Sequence, residues 1–296
     1  MSAITPDPAH ALTPSGNLAR RLRVSLAIQG LAVSAAALAA AILFILVGFT
    51  VVKGIGALSW SFLTGNLPAA TGQAGGIGPA LVGTAELALM AGIISVILGV
   101  LTALFLTEFA SPRVASPVRL MLDLLAGLPT ILAGVFIYGL VVSRFGQSGI
   151  AAAIALAMVM TPLVARATLE SLQRVPETWR DAASALGVSH WRTVLTVVLP
   201  GAASGITTAA ILAVARGAGE TAPLLFTSSL YGNGVQLNPM HALPNIPLEI
   251  YTLIETGYPQ SVSMAWGAAF LLMATILLVN IGARILLRRG ERKRGL

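Results

Sequence analysis

Long apolar runs separated by short polar segments dominate the chain. Six runs reach the ~20 residues that a helix needs to cross a bilayer's hydrocarbon core. They are Val24–Val52, Leu81–Thr107, Val118–Val142, Ile150–Leu172, Gly205–Phe226 and Ser263–Leu287, the third and fifth interrupted by Pro and Gly. The pattern predicts an all-α polytopic membrane protein with six transmembrane helices in a single domain over residues 24–288. Before it, residues 1–23 read as an N-terminal tail, disordered over Met1–Asn17, where Pro6, Pro8 and Pro14 fall; residues 289–296 form a basic tail. The first run is about twice as long as a signal-peptide core, so it reads as a retained anchor.

Composition agrees. Of 296 residues, 56% are hydrophobic and only 10% charged, against about 25% charged in soluble domains. With no cysteine and three histidines (His10, His190, His241), disulfides, iron–sulfur clusters and thiolate metal sites are excluded. A histidine-rich metal centre is not expected either. The net charge of +7 points to membrane orientation and anionic lipid, not to nucleic acid. Fourteen basic residues, Arg20, Arg113, Arg174, Arg180 and Arg292 among them, fall on one side of the six runs, and only Lys53 and Arg144 on the other. By the positive-inside rule both termini are cytoplasmic. The segments Lys53–Ala80 and Thr227–Val262 are then external, and Gln173–Pro200 is the longest internal loop.

That internal loop is patterned. Pro176 suits a helix's first turn, Glu177 favours its dipole, Ala182, Ala183, Ala185 and Leu186 are helix formers, and Gly187 is a terminator. Ser189 is placed to cap a second helix running to Pro200. A short helix, a glycine turn and a second helix entering the membrane result. The spacing Asp181-Ala182-Ala183, Gly187, Leu199-Pro200 resembles the "EAA" loop of ATP-binding-cassette importer permeases, with Asp where Glu is usual. The resemblance implies the type I importer permease fold, and a short helix that docks on a cytoplasmic ATPase and transmits its closure. Trp179, Asp181, Ala182, Ala183, Leu186 and Gly187 would be its working residues. A P-loop requires G-x-x-x-x-G-K-[ST]; this chain has two lysines and neither follows a glycine. The chain is therefore read as a non-catalytic permease, with no cofactor of its own and with ATP and Mg held by a partner ATPase.

The fifth run carries the most distinctive stretch, Arg216–Thr227 (RGAGETAPLLFT). With Gly75-Gly76-Ile77-Gly78-Pro79, Leu106-Thr107-Glu108-Phe109-Ala110, Gly127-Leu128-Pro129-Thr130 and Asn245-Ile246-Pro247-Leu248, it resembles the permease subunits of the phosphate-specific transporter, the A-type more than the C-type. That resemblance implies a heterodimer with a C-type permease, two ATPase subunits, an extracytoplasmic phosphate-binding protein, and residence in the bacterial inner membrane.

The residues make their own case. A helix entering at Gly205 carries Arg216 about 16 Å deep, near the middle of the ~30 Å core. A guanidinium there must be paired or face water. Arg216 and Glu220 are four apart and share a helical face; Gly217 and Gly219 open space beside them, and Pro223 is expected to kink the helix. Arg offers a planar fork to two oxyanion oxygens and stays charged when desolvated. Glu220 can tether Arg216, or accept a hydrogen bond from protonated phosphate. The same pair also fits a buried salt bridge that locks packing, and two further pairs with that spacing, Arg119/Asp123 and Arg166/Glu170, read as structural. Glu86 reads as structural too, and Asn280 as an interhelical hydrogen-bonder.

Three other classes compete. Gly146-Gln147-Ser148-Gly149 spells the G-x-S-G of intramembrane serine proteases, but neither later run supplies a histidine. An ion-coupled carrier or channel needs several intramembrane acids, and only Glu220 lies deep. Sulfate, molybdate and phosphonate permeases share the coupling loop, so within importers the substrate rests on Arg216–Thr227.

Overall fold

The computed structural model describes residues 16–68, 70, 72–230 and 234–293. Of the expected tails, 1–15 and 294–296 lie outside these residues, whereas 16–23 already belong to the first helix, Gly16 and Asn17 included, and 289–293 to the last, rather than to tails. Among the described residues all regular structure is helical. The chain divides into two units, residues 1–52 and 53–296. The first is the helix α1 (Gly16–Gly54) up to Val52. Its side chains are apolar on every face and exposed from Leu26 to Phe49. An all-round apolar helix of this length is a membrane span.

The second unit begins with α2 (Trp60–Thr64) and then α3, a rod over Gly78–Phe109. The centre of the unit is α6 (Gly149–Gln173), which lies against α3 and against α8 (His190–Gly217). Its buried positions are rich in alanine: Ala152, Ala153 and Ala157 pack beside Leu156, Met160 and Val164, and Ala151 and Ala155 are buried in a separate cluster. Leu87 and Ala91 of α3, Ala213 of α8, Leu224 and Leu243 belong to the first of these. In hydrocarbon, where apolar side chains gain nothing by leaving lipid, such small residues hold helices together through close backbone approach. Gly99 shows how close: a Cβ there would stand 2.7 Å from that of Val164.

The expected third span, Val118–Val142, is not one helix. It is a pair, α4 (Pro112–Gly127) and α5 (Thr130–Phe145), bent by 100°. Leu128 and Pro129 are both extended, at ψ 138° and 128°. Proline disfavours the helical conformation for the residue before it and offers no N–H to the preceding turn, so the ladder breaks.

The fifth span also differs. The rod α8 starts at His190 rather than near Gly205, and Pro200 sits inside it. A π turn over Val194–Val198 lies immediately before Pro200, widening the helix where the proline ring would otherwise clash with the preceding turn. Its far end comes early, at Gly217. Pro223 therefore does not kink a continuous helix; it precedes the separate one-turn α9 (Leu224–Thr227).

A helix absent from the sequence reading, α10 (Ile246–Glu255), occupies the segment before α11 (Pro259–Lys293). Its signal is local: Asn245 accepts from the Leu248 N–H at 3.0 Å, and Pro247 sits in the first turn. Thr84 of α3 fixes this end by accepting from the Ile246 N–H at 2.8 Å. Gly83 beside it meets the Pro244 carbonyl so closely that a Cβ would lie 1.9 Å from the oxygen.

On α10 Glu249 is buried, and desolvation raises its carboxyl from 4.5 to about 7. Between those values the folded chain keeps a proton that the unfolded chain has released, so stability falls as pH rises through this window and levels off above it. Glu249→Gln should abolish the slope and raise stability near pH 8 by up to ~3 kcal/mol. Thermal unfolding in detergent on both sides of the window measures it, and an unchanged slope would assign the pH dependence elsewhere.

Candidate functional site

Two places in the second unit bring charged side chains into contact. The first is a cavity of about 310 Å³ lined by α4, α5, α6 and the end of α8. Its rim includes Leu128, Pro129 and Thr130, so the bend between α4 and α5 shapes it. Its two charged lining residues are Arg166 of α6 and Arg216 of α8. The rest is mainly apolar, including Leu125, Phe136, Val159 and Leu163. Guanidinium groups set in apolar walls can pair with an oxyanion or with a carboxylate of the chain.

Each arginine has a carboxylate. Arg216 Nε and Glu220 Oε1 are 3.6 Å apart, the arginine mostly exposed and the glutamate mostly covered. The pair forms as expected but not on one helix. After Gly217 the chain turns, with the Gly219 and Glu220 N–H groups donating to the Arg216 and Gly217 carbonyls, and this turn returns Glu220 to the arginine. At 3.6 Å the contact is an ion pair rather than a hydrogen bond, which leaves the guanidinium donors open to a ligand. The other expected pairs, Arg119/Asp123 and Arg166/Glu170, are replaced by one pair across helices, Arg166 with Asp123. The cause is packing: Leu122 of α4 and Ala165 of α6 are buried in one cluster, which brings their neighbours together.

The remaining candidates resolve simply. Ser148 of the G-x-S-G sequence caps α6, accepting from the Ala151 N–H at 3.2 Å. Asn280 donates to the Ile276 carbonyl of its own helix at 2.9 Å, and its buried Oδ1 has no hydrogen-bond partner among the described residues. Glu86 has one carboxylate oxygen buried without a hydrogen-bond partner among the described residues.

The second place is the loop Gln173–Pro200. Its helix α7 (Glu177–Ala185) begins after Pro176 and ends on Gly187 at φ 74°. The Gly187 and Val188 N–H groups donate to the carbonyls of Ser184 and Ala183, the closing pattern that a left-handed glycine permits. Ser189 precedes α8, yet its side chain does not cap it. Asp181, Ala182 and Leu186 face outward, Leu186 being 83% exposed, whereas Ala183 is buried. Trp179 is divided: its ring edge rests on Gly201 of α8 while the rest is open.

Inward, the loop is held by residues that sequence reading did not single out. Arg180 donates to Glu108 Oε1 at 2.9 Å and to the Val175 and Leu172 carbonyls at 2.8 and 3.2 Å. His190 Nε2 donates to the Glu108 backbone carbonyl at 3.0 Å, and its ring packs edge-on against Phe109 at 5.3 Å. The available signal was a lone acid at the end of an apolar run, which needs a cation from elsewhere in the chain.

A multi-pass helical membrane unit with an arginine-lined cavity and an outward-facing loop helix defines a solute permease. Residues 95–292 match the family described as binding-protein-dependent transport system inner membrane component, and the chain belongs to that family. It is 35% identical over 244 residues, 82% of either chain, to the Phosphate transport system permease protein PstA of Yersinia pestis. It is 38% identical over 240 residues to the protein of that name from Haemophilus influenzae, covering 80% of this chain and 84% of that one. A probable PstA of Methanocaldococcus jannaschii is 35% identical, covering 77% and 80%. Among solved structures, the fold is shared with a bacterial alginate ABC transporter in complex with its pentasaccharide-bound periplasmic protein (TM-score 0.63, 14% identity, 88% of this chain and 95% of that one). It is shared also with the inward-facing MetNI methionine ABC transporter (TM-score 0.59, 18% identity, 71% and 95%).

Proposed function

We propose that this chain is the A-type permease subunit of an ATP-driven importer that carries inorganic phosphate into the cytoplasm. The observation that carries the proposal is the cavity lined by Arg166 and Arg216, each next to a carboxylate. Relatives named as phosphate permeases over four-fifths of the chain support it. Phosphate entering the cavity exchanges Glu220 for its own oxygens on Arg216, so the guanidinium is paired in the empty and the loaded state. Glu220, freed, accepts a hydrogen bond from the protonated phosphate oxygen, a donor that fully ionised sulfate lacks.

In this reading both termini are cytoplasmic. A C-type permease completes the pathway, two ATPase subunits holding ATP and Mg dock on the α7 helices, and an extracytoplasmic binding protein delivers phosphate. Lipid surrounds the remainder, in a bacterial inner membrane. The chain itself performs no chemistry. Reconstitution of the complete importer tests the reading: ATP turnover should rise with phosphate-loaded binding protein and not with sulfate. Stimulation by sulfate alone would reassign the substrate, and uptake without an ATPase would replace the importer by an ion-coupled carrier.

A further inference from the structure

The cavity accounts for Arg166, Arg216 and their carboxylates, but not for the buried acid at the other end of α3. The Glu108 side chain is 4% exposed on the π segment Phe105–Phe109 that ends this rod. Burial of a carboxylate in such a place is unfavourable unless it is paired and hydrogen-bonded. Its pairing is unusual in what it joins. Arg180 comes from α7, and the same guanidinium reaches the carbonyls of Leu172, at the end of α6, and Val175, just beyond it. His190, the first residue of α8, holds the Glu108 backbone. Arg180 thus connects the short loop helix to the ends of two long helices, α3 and α6, and His190 joins the third, α8, to the same Glu108.

We infer that Arg180 and Glu108 form the positioning link that carries displacement of α7 to α3 and α6. The inference rests on the reading of α7 as an ATPase-docking helix. Two kinds of contact hold α7 to the rest of the unit. Apolar ones, Ala183 and the Trp179 edge on Gly201, slide at little cost because dispersion is non-directional. The ion pair cannot slide: parting it strands a buried carboxylate and leaves the guanidinium fork unsatisfied. The pair therefore transmits a pull as well as a push. Its inward direction complements the outward face of Asp181, Ala182 and Leu186 on the same helix, so α7 receives force on one side and delivers it on the other. The π segment bearing Glu108 departs from the regular i→i−4 ladder, a kind of turn frequent at functional sites.

The test uses the complete importer in proteoliposomes and reads phosphate moved per ATP hydrolysed, together with the amount of ATPase that co-purifies. Arg180→Gln and Glu108→Gln should retain the ATPase and lower phosphate moved per ATP at least tenfold, while Arg180→Lys, a cation without the fork, should recover part of the loss. A ratio within twofold of wild type in both glutamine variants would overturn the inference. Loss of the ATPase in both, with uptake falling only in proportion, would reduce the pair to packing and overturn it equally. Leu186→Asp, on the outward face, separates the underlying reading: if it leaves ATPase binding intact, α7 is not the docking helix.

Discussion

Arg216→Gln is expected to abolish phosphate uptake in the reconstituted importer while leaving the subunits able to assemble. The arginine side chain is 61% exposed within this chain and makes an ion pair with Glu220 but no close hydrogen bond, so little folding energy depends on it. A glutamine of similar length fills the same space without the charge. Its loss removes one of the two cations of the cavity. A charge-assisted hydrogen bond is worth roughly 1.5–3 kcal/mol, and two from one guanidinium imply a loss of about 10²-fold or more in phosphate engagement. Uptake of radiolabelled phosphate, with co-purification as the assembly control, decides it. Wild-type uptake by the variant would remove Arg216 from the pathway.

The largest structural effect is expected at Gly83. Adding one methyl group in Gly83→Ala places it 1.9 Å from the Pro244 carbonyl oxygen, a distance that no rotamer relieves because both partners are backbone. Either α3 or the 243–246 segment must move, and movement takes with it the Thr84–Ile246 hydrogen bond and the Asn245 cap. Overpacking of this kind costs ~3 kcal/mol or more when the backbone must shift. Gly282→Ala is the control: nothing lies within 4 Å of its new Cβ, and alanine is worth up to ~1 kcal/mol over glycine inside a helix. Thermal unfolding in detergent should show a large fall for the first and no fall for the second. Equal behaviour would show that the close approach at Gly83 is not what holds α10 in place.

How far the sequence could be read depended on whether the cause was local. Leu81–Thr107 and Ile150–Leu172 fall within a few residues of Gly78–Phe109 and Gly149–Gln173, because an unbroken apolar run declares its own helix. The end of α7 was legible for the same reason: Gly187 needs only its own backbone freedom to stop a helix. What failed was set at a distance or by a compensating neighbour. Pro129 was visible in the third run, but the 100° turn also depends on where α5 finds its packing. Pro200 looked like a boundary because the π turn that accommodates it leaves no mark in composition. Arg166 was assigned to Glu170 by spacing, yet α4 lies against α6 and brings Asp123 instead. The Arg216–Glu220 contact was anticipated, but through a helix that has already ended.

Among the described residues, three rods carry a five-residue widened turn, at Phe105–Phe109, Tyr138–Val142 and Val194–Val198. Each such turn accommodates one surplus residue, and one residue of a regular helix corresponds to about 100° of rotation. A wheel diagram drawn straight through Val194–Val198 would therefore misassign every face beyond it by roughly a quarter of a circle. Azimuths along α8 are best counted afresh from Leu199, and cross-linking cysteines chosen on that corrected count should pair where those chosen on the naive one miss.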